Sequence, residues 1–230
     1  MEGEKVPTCI GIIPDGNRRW ARASGLPSLE GHRAGYQKAK EVAEWAFDAG
    51  VRHILFYAFS TENWKRTAEE VSYLMDLLKW VLEHEINELD KRGIKLRVIG
   101  DVASLPAVIQ KLTENAEEKT KSNTRGTMGI LLSYGGRKEV VEAAKRIASS
   151  GVPAEELSED SFGKSLWTAG IPDPDIIIRA GGEKRLSNFL IWEAAYSELF
   201  FSDTLWPAFT KEEFDSILKE YAARERRFGK

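Results

Sequence analysis

Between Ile13 and Arg33 the chain gathers side chains suited to holding a diphosphate. Asp15 offers a carboxylate to a divalent cation, Gly16 lets the backbone approach an anion closely, and Arg18 and Arg19 bring positive charge. Asn17, Trp20 and His32 lie in the same stretch. The apolar run Cys9–Ile13 just before it reads as a buried strand that Pro14 ends. A strand opening into a charged, glycine-containing turn is where open α/β sheets bind ligands, at the carboxyl ends of their strands.

Three more polar segments follow predicted strands in the same way: Ser60-Thr61-Glu62-Asn63-Trp64-Lys65-Arg66, Ser133-Tyr134-Gly135-Gly136-Arg137-Lys138, and Arg179 through Asn188. The usual phosphate motifs are missing. Gly163-Lys164-Ser165 lacks the glycine a P-loop needs at position 158, which is Ser158, and there is no G-x-G-x-x-G or Asp-Asp-x-x-Asp cluster. Any phosphate chemistry must therefore come from loops that meet in space.

The elements needed to bring them together are legible. Strands are expected at Cys9–Ile13, His53–Phe59, Ile94–Ile99, Thr127–Ser133, Asp175–Ile178 and Glu198–Phe201. Helical patterns separate them. Tyr36–Ala49 carries apolar residues at 36, 39, 43 and 46, and a long helix begins after the capping box Thr67-x-x-Glu70 and runs to near Gly93. A third starts near Ser104 with Pro106 in its first turn, a fourth spans Arg137 to Ser149, and the last runs from Lys211 to Ala223. This alternation predicts one α/β domain, residues 1–230, with a central, mostly parallel six-stranded sheet flanked by helices. Strand ends on one edge of such a sheet converge.

Composition narrows the function. A net charge of −3 over 230 residues argues against a nucleic-acid partner held by overall charge. The single cysteine forms no intrachain disulfide and fits a reducing compartment. No apolar run approaches the ~18 residues of a spanning helix, so a cytoplasmic protein is expected. His53 and His84 read as structural, and Asp173-Pro174-Asp175 as a turn rather than a paired-carboxylate site.

The motifs Pro14–Ala21, Gly31–Gly35, Phe59–Trp64, Ser133–Arg137, Arg179–Glu183 with Ser187–Phe189, and Glu198–Phe201 occur in an order that resembles the cis-prenyltransferases, the undecaprenyl diphosphate synthase or isoprenyl transferase family. The resemblance spans nearly the whole chain. It implies a transferase that adds isopentenyl diphosphate repeatedly to an allylic diphosphate such as farnesyl diphosphate, each new double bond being cis. By carry-over, Asp15 binds Mg²⁺, and Gly16, Asn17, Arg18, Arg19, Trp20 and His32 cradle the allylic diphosphate. Arg179, Arg185, Leu186 and Ser187 face isopentenyl diphosphate, and Glu198 is a second magnesium carboxylate. Ser60, Thr61, Glu62, Trp64 and Arg66 position the nucleophile. Asn63 matches a position tied to the proton-loss step; an amide is a poor base, so it is expected to orient diphosphate or water.

A growing prenyl chain needs shelter from water. Each isoprene contributes roughly 3–4 kcal/mol at ~0.8 kcal/mol per methylene, so an apolar tunnel is expected between sheet and helices, with Val71, Leu74, Met75, Leu78, Val81 and Leu82 as candidate wall residues. The finished lipid implies transient peripheral contact with a membrane. The resemblance also implies a homodimer in which Arg227-Phe228-Gly229 reaches the partner's site. One departure stands out: Ser28 occupies a position where many relatives carry a diphosphate-binding arginine, and Arg22 is a neighbouring basic residue that could replace it. A catalytically silent partner subunit, a phosphohydrolase or a phosphate-binding module would also account for some of these residues. The retained Asp15, Arg179 and Arg185 weigh against the first, and the apolar helix faces against the others.

Overall fold

Six apolar runs become six strands, and their spacing in the chain dictates how they stack. The computed structural model describes residues 5–224. The strands β1 (Cys9–Ile13), β2 (His53–Ser60), β3 (Ile94–Ile99), β4 (Gly126–Tyr134), β5 (Ile176–Arg179) and β6 (Glu198–Phe201) form one sheet in the order β3-β4-β2-β1-β5-β6. Every pairing is parallel. All five residues of β1 are buried, as expected for a central parallel strand covered on both faces.

Alternation along each strand sorts the core. Ile10, Ile12, Ile54, Phe56, Ile176 and Ile178 point to one face, against Val42, Ala46 and Phe47 of α2 (Glu30–Asp48) and Phe214 and Leu218 of α8 (Lys211–Ala223). Cys9, Ile13, Leu55 and Ile177 point to the other, against Phe189, Leu190 and Trp167. A third cluster joins α3 (Ala68–His84), α4 (Ile86–Lys91) and α5 (Ala107–Thr120) to Leu96 and Leu132. The helices α6 (Gly136–Ser150) and α7 (Glu159–Gly163) lie between β4 and β5 in the chain.

Helices differ from the sequence expectation where burial is narrow. α1 (Asn17–Ala23) forms in what reads as a loop; only Ala21 of its seven residues is buried, so it leaves no apolar stripe to detect. α2 starts at Glu30 rather than Tyr36, because its first turns carry Gly31, His32 and Gly35 instead of large apolar residues. The expected long helix divides at Glu85, which caps α3 and begins α4. Pro106 is the cap of α5, just outside its first turn.

Candidate active site

β1 sits between β2 and β5, so the chain leaves it toward one side of the sheet and returns on the other. The crevice beyond its carboxyl end is the topological switch point of the fold. Gly16 turns the chain there with φ +101°, and an added Cβ would lie 2.8 Å from the Leu205 side chain. Only glycine meets both demands. α1 then crosses α2 so closely that a Cβ on Gly35 would fall 2.3 Å from Asn17 Oδ1. That contact carries Asn17 and His32 to the same rim as Asp15.

Two charge clusters face each other across this crevice. In the first, Arg179 at the end of β5 donates from Nη2 to Asp15 Oδ2 at 2.7 Å, and from Nη1 to Ser187 Oγ at 2.7 Å and to the Arg185 carbonyl at 2.5 Å. Its side chain is 4% exposed, while Asp15 remains 33% exposed. Arg19 donates to the Gly181 carbonyl at 2.7 Å and lies 3.4 Å from the second Asp15 oxygen. Asp15 thus presents a carboxylate at the rim, already oriented by two guanidinium groups.

The second cluster surrounds a residue that the sequence reading treats only as half of a capping box. Glu70, buried on the first turn of α3, accepts from Arg66 at 2.8 Å, from Arg18 at 2.9 Å, and lies 3.2 Å from His32 Nε2. Burial would raise its carboxyl pKa, but Arg66 and Arg18 outweigh burial and hold it below the usual range. The His32 imidazole is pushed down by burial, then by Arg66, with Glu70 opposing. Glu70 therefore gathers three groups that could bind an anion. Arg18, and not the exposed Arg22, joins this cluster.

At the end of β2, Asn63 Oδ1 accepts from the Ser60 amide at 3.1 Å, closing a reciprocal cap. With its oxygen engaged, Asn63 has donors to offer and no basic atom. Glu62 accepts from Asn188 Nδ2 at 3.0 Å; burial raises its carboxyl, but hydrogen bonds from its own backbone, Asn188, Ser60 and Thr61 bring it below the usual value. Asn188 also accepts from the Arg137 amide at 2.9 Å, tying the third and fourth loops together.

These loops enclose a polar cavity of about 660 Å³ lined by Asp15, Asn17, His32, Ser60, Glu62, Asn63, Arg66, Arg179 and Ser187, all expected from the sequence. Tyr57, Arg137, Asn188 and Ile191 also line it. Arg137 and Asn188 lie in loops already singled out, and Tyr57 alternates with core residues of β2, which hides it. Tyr57 stacks on Phe189 at 4.9 Å and donates to the Ser187 carbonyl at 3.3 Å. Pro14, Asn17, His32, Ala58 and Leu74 also line a second, apolar cavity of about 180 Å³ running between α2 and α3. Leu74, Met75, Leu78 and Val81 form its wall as expected, whereas Val71 faces an outer groove between α3 and α5 and Leu82 lies deeper.

Several expected residues stand outside the cavity lining. Gly16, Arg18, Arg19, Trp20, Thr61, Leu186 and Arg185 are among them, Arg185 pairing with Glu183 at 2.5 Å. Trp64 donates to Ser133 Oγ at 2.9 Å and braces the β2 and β4 ends. Glu198 also lies outside the cavity lining. It opens β6 in register with Ile176 and Ile10, three residues and about 10 Å of strand below the level of Ile13. Its carboxylate accepts from Arg224 at 2.9 Å. Within one chain Glu198 thus stands at the amino end of its strand and Asp15 beyond the carboxyl end of β1. Arg227-Phe228-Gly229 lies outside the described residues. At the opposite end of the sheet, Asp175 accepts from the Thr8 and Cys9 amides, consistent with a turn.

Hard-cation chemistry fits what is present. Mg²⁺ commonly takes one or two carboxylates and completes its shell with phosphate oxygens and water, so one rim carboxylate beside a diphosphate-sized cavity is enough. Among the described residues no group of three or more His, Cys, Asp or Glu side chains is arranged to hold a metal by itself.

Comparison with known proteins points the same way. A prenyltransferase family model described as "putative undecaprenyl diphosphate synthase" matches residues 13–229. The chain is 44% identical over 233 residues to an isoprenyl transferase of Heliobacterium mobile, covering 100% of this chain and 90% of that one. It is 44% identical over 233 residues to the ditrans,polycis-undecaprenyl-diphosphate synthase ((2E,6E)-farnesyl-diphosphate specific) of Micrococcus luteus, covering 100% and 94%. The crystal structure of lavandulyl diphosphate synthase from Lavandula x intermedia, in complex with dimethylallyl diphosphate, matches with a TM-score of 0.93 at 33% identity, covering 98% of this chain and 99% of that chain.

Proposed function

The chain belongs to the undecaprenyl diphosphate synthase family of cis-prenyltransferases, and on that premise we propose that it condenses isopentenyl diphosphate stepwise onto an allylic diphosphate with cis double bonds. One observation carries the reading: a cationic rim cavity opens directly into an apolar one, the two sharing Pro14, Asn17, His32, Ala58 and Leu74. A diphosphate head and a hydrocarbon tail need this pair of environments side by side.

The reaction breaks the allylic C–O bond, and negative charge grows on the departing diphosphate. Donors aimed at that charge stabilise the transition state more than the ground state. Arg18, Arg66, His32 and Asn17 serve the allylic diphosphate, while Arg179, Ser187 and Arg137 serve isopentenyl diphosphate. Asn63 orients diphosphate or water through its amide N–H groups. Asp15, with diphosphate oxygens, would hold Mg²⁺, which when bound neutralises charge on the diphosphates. Ser60, Glu62 and Asn188 fix the loop carrying Asn63.

Two further expectations belong to this reading. β6 is an edge strand whose neighbourhood exposes Leu199, Phe201 and Tyr196, the last 82% exposed, which supports a homodimer. No helix among the described residues is long and apolar enough to cross a membrane. Peripheral membrane contact by a cytoplasmic enzyme would suit release of the lipid.

The test is direct. Purified protein with Mg²⁺, farnesyl diphosphate and labelled isopentenyl diphosphate is expected to give labelled, extractable prenyl products resolved by length. Hydrolysis of either diphosphate without transfer of label contradicts the proposal.

A further inference from the structure

Below the apolar cavity the channel does not end; it is divided. Tyr36, Lys40, Val81, Met128 and Ile130 line the bottom of the 180 Å³ chamber and also the top of a smaller chamber of about 70 Å³. The lower chamber continues between α2 and α4 along Ala43, Phe47, Leu82 and Ile86. Both chambers are largely apolar, yet Lys40, which lines both, donates from Nζ at 2.7 Å to Glu85, which lines the lower one; the two side chains of this ion pair are 36% and 18% exposed. The Tyr36 phenol joins it: burial, then the charge and hydrogen bond of Glu85, push its pKa up. Its ring packs edge-on against Trp80 with centroids 6.3 Å apart and lies 5.9 Å from the Lys40 ammonium.

Glu85 stands between α3 and α4 as the cap of both, and from there its carboxylate reaches Lys40 of α2.

Resting on the proposed reaction, we infer that the Tyr36–Lys40–Glu85 cluster is a polar partition in the prenyl channel that restricts how far the growing chain can extend. The diphosphate stays at the rim, so each added unit pushes the tail deeper. Hydrocarbon pressed against the inner side of the Lys40–Glu85 pair removes water from that side and supplies no hydrogen bond in return, while the outer side stays solvated. Extension stalls there until the pair separates. Beyond it, Lys40 to Phe47 is seven residues of α2, about 10 Å of helix. An isoprene unit spans roughly 5 Å, four C–C bonds of ~1.5 Å in zigzag, so the path has length for about two units. Its 70 Å³ is under half the ~150 Å³ that holds a benzene, however, and a further unit enters only as the lining side chains give way.

The experiment compares product lengths, with one starter and labelled isopentenyl diphosphate, for the unmodified enzyme and a Lys40→Leu/Glu85→Leu variant. The expected result is a distribution shifted longer by at least one unit, with KM for both substrates unchanged within about twofold, since Lys40 lies eight residues or ~12 Å of helix from His32. Glu85→Gln, which keeps the side-chain shape, is expected to shift the distribution in the same direction by less, and it decides the question if the double variant does not fold. An unchanged distribution in a folded variant overturns the partition while leaving the proposed reaction intact. Failure of the unmodified enzyme to transfer any label overturns both.

Discussion

Asp15 and Arg179 meet 2.7 Å apart across the seam between β1 and β5, two strands paired in register from Ile10 and Ile176 to Ile13 and Arg179. The guanidinium is almost wholly buried and also holds Ser187 and the Arg185 carbonyl. One side chain therefore sets both the carboxylate and the loop after β5. Arg179→Ala leaves Asp15 with only the longer Arg19 contact and two acceptors unfilled. The expected destabilisation is about 2 kcal/mol, below the 3–5 kcal/mol of a fully buried pair because Asp15 is partly solvated, and it is read by urea denaturation.

Glu70 organises the other half of the rim. Glu70→Ala frees Arg18, Arg66 and His32 from their common acceptor. Charge-assisted hydrogen bonds contribute ~1.5–3 kcal/mol each, and loss of this alignment is expected to lower turnover about tenfold or more. Steady-state kinetics against the allylic substrate would read it; unchanged kinetics would show that the three groups are positioned without Glu70.

Behind the Gly135-Gly136 turn lies a buried acid pair. Thr168 Oγ1 donates to Glu193 at 2.5 Å and bonds Glu139 at 3.2 Å, and Tyr134 donates to Glu139. Burial, then the charge of Glu139, pushes the Glu193 carboxyl up to about 7. A carboxyl raised in the folded state binds its proton more tightly folded than unfolded. Stability is then fully present below the unfolded value near 4.5 and declines as pH rises toward 7. Glu193→Gln is expected to flatten that decline, with a gain on the order of 2 kcal/mol above pH 7, measured as thermal stability against pH.

The α1–α2 crossing depends on absent side chains. Gly35→Ala would set a Cβ 2.3 Å from Asn17 Oδ1, well inside contact distance. The expected cost is 1–3 kcal/mol of stability together with weakened substrate binding, since Asn17 lines both cavities. Denaturation and KM measured on the same sample separate the two effects.

Strands were the most legible part of this fold. A central parallel strand is buried on both faces, so runs such as Cys9–Ile13 and Ile176–Ile178 announce themselves without alternation. Three strands, Cys9–Ile13, Ile94–Ile99 and Glu198–Phe201, match their expected limits, as does the last helix. α1 was hidden because it buries one residue, and the division at Glu85 because no glycine or proline marks it. In the site, loops at strand ends could be located from local pattern, which is why Asp15, Asn63 and Arg179 reach one cavity. Glu70 escapes a sequence reading because a capping-box glutamate on a polar helix start looks satisfied locally, while its partners Arg18, His32 and Arg66 come from α1, α2 and the β2 loop. Glu198 stands at the amino end of β6, a placement that a motif read along the chain does not specify.

The account rests on Asp15 holding the cation and diphosphates at the head of an apolar channel. Labelled isopentenyl diphosphate transfer with Mg²⁺ present, compared between the unmodified enzyme and Asp15→Ala at matched folded concentration, tests that most directly. A loss of at least ~10²-fold is predicted, with the variant still folded by circular dichroism. Transfer within a few-fold of the unmodified enzyme would contradict it.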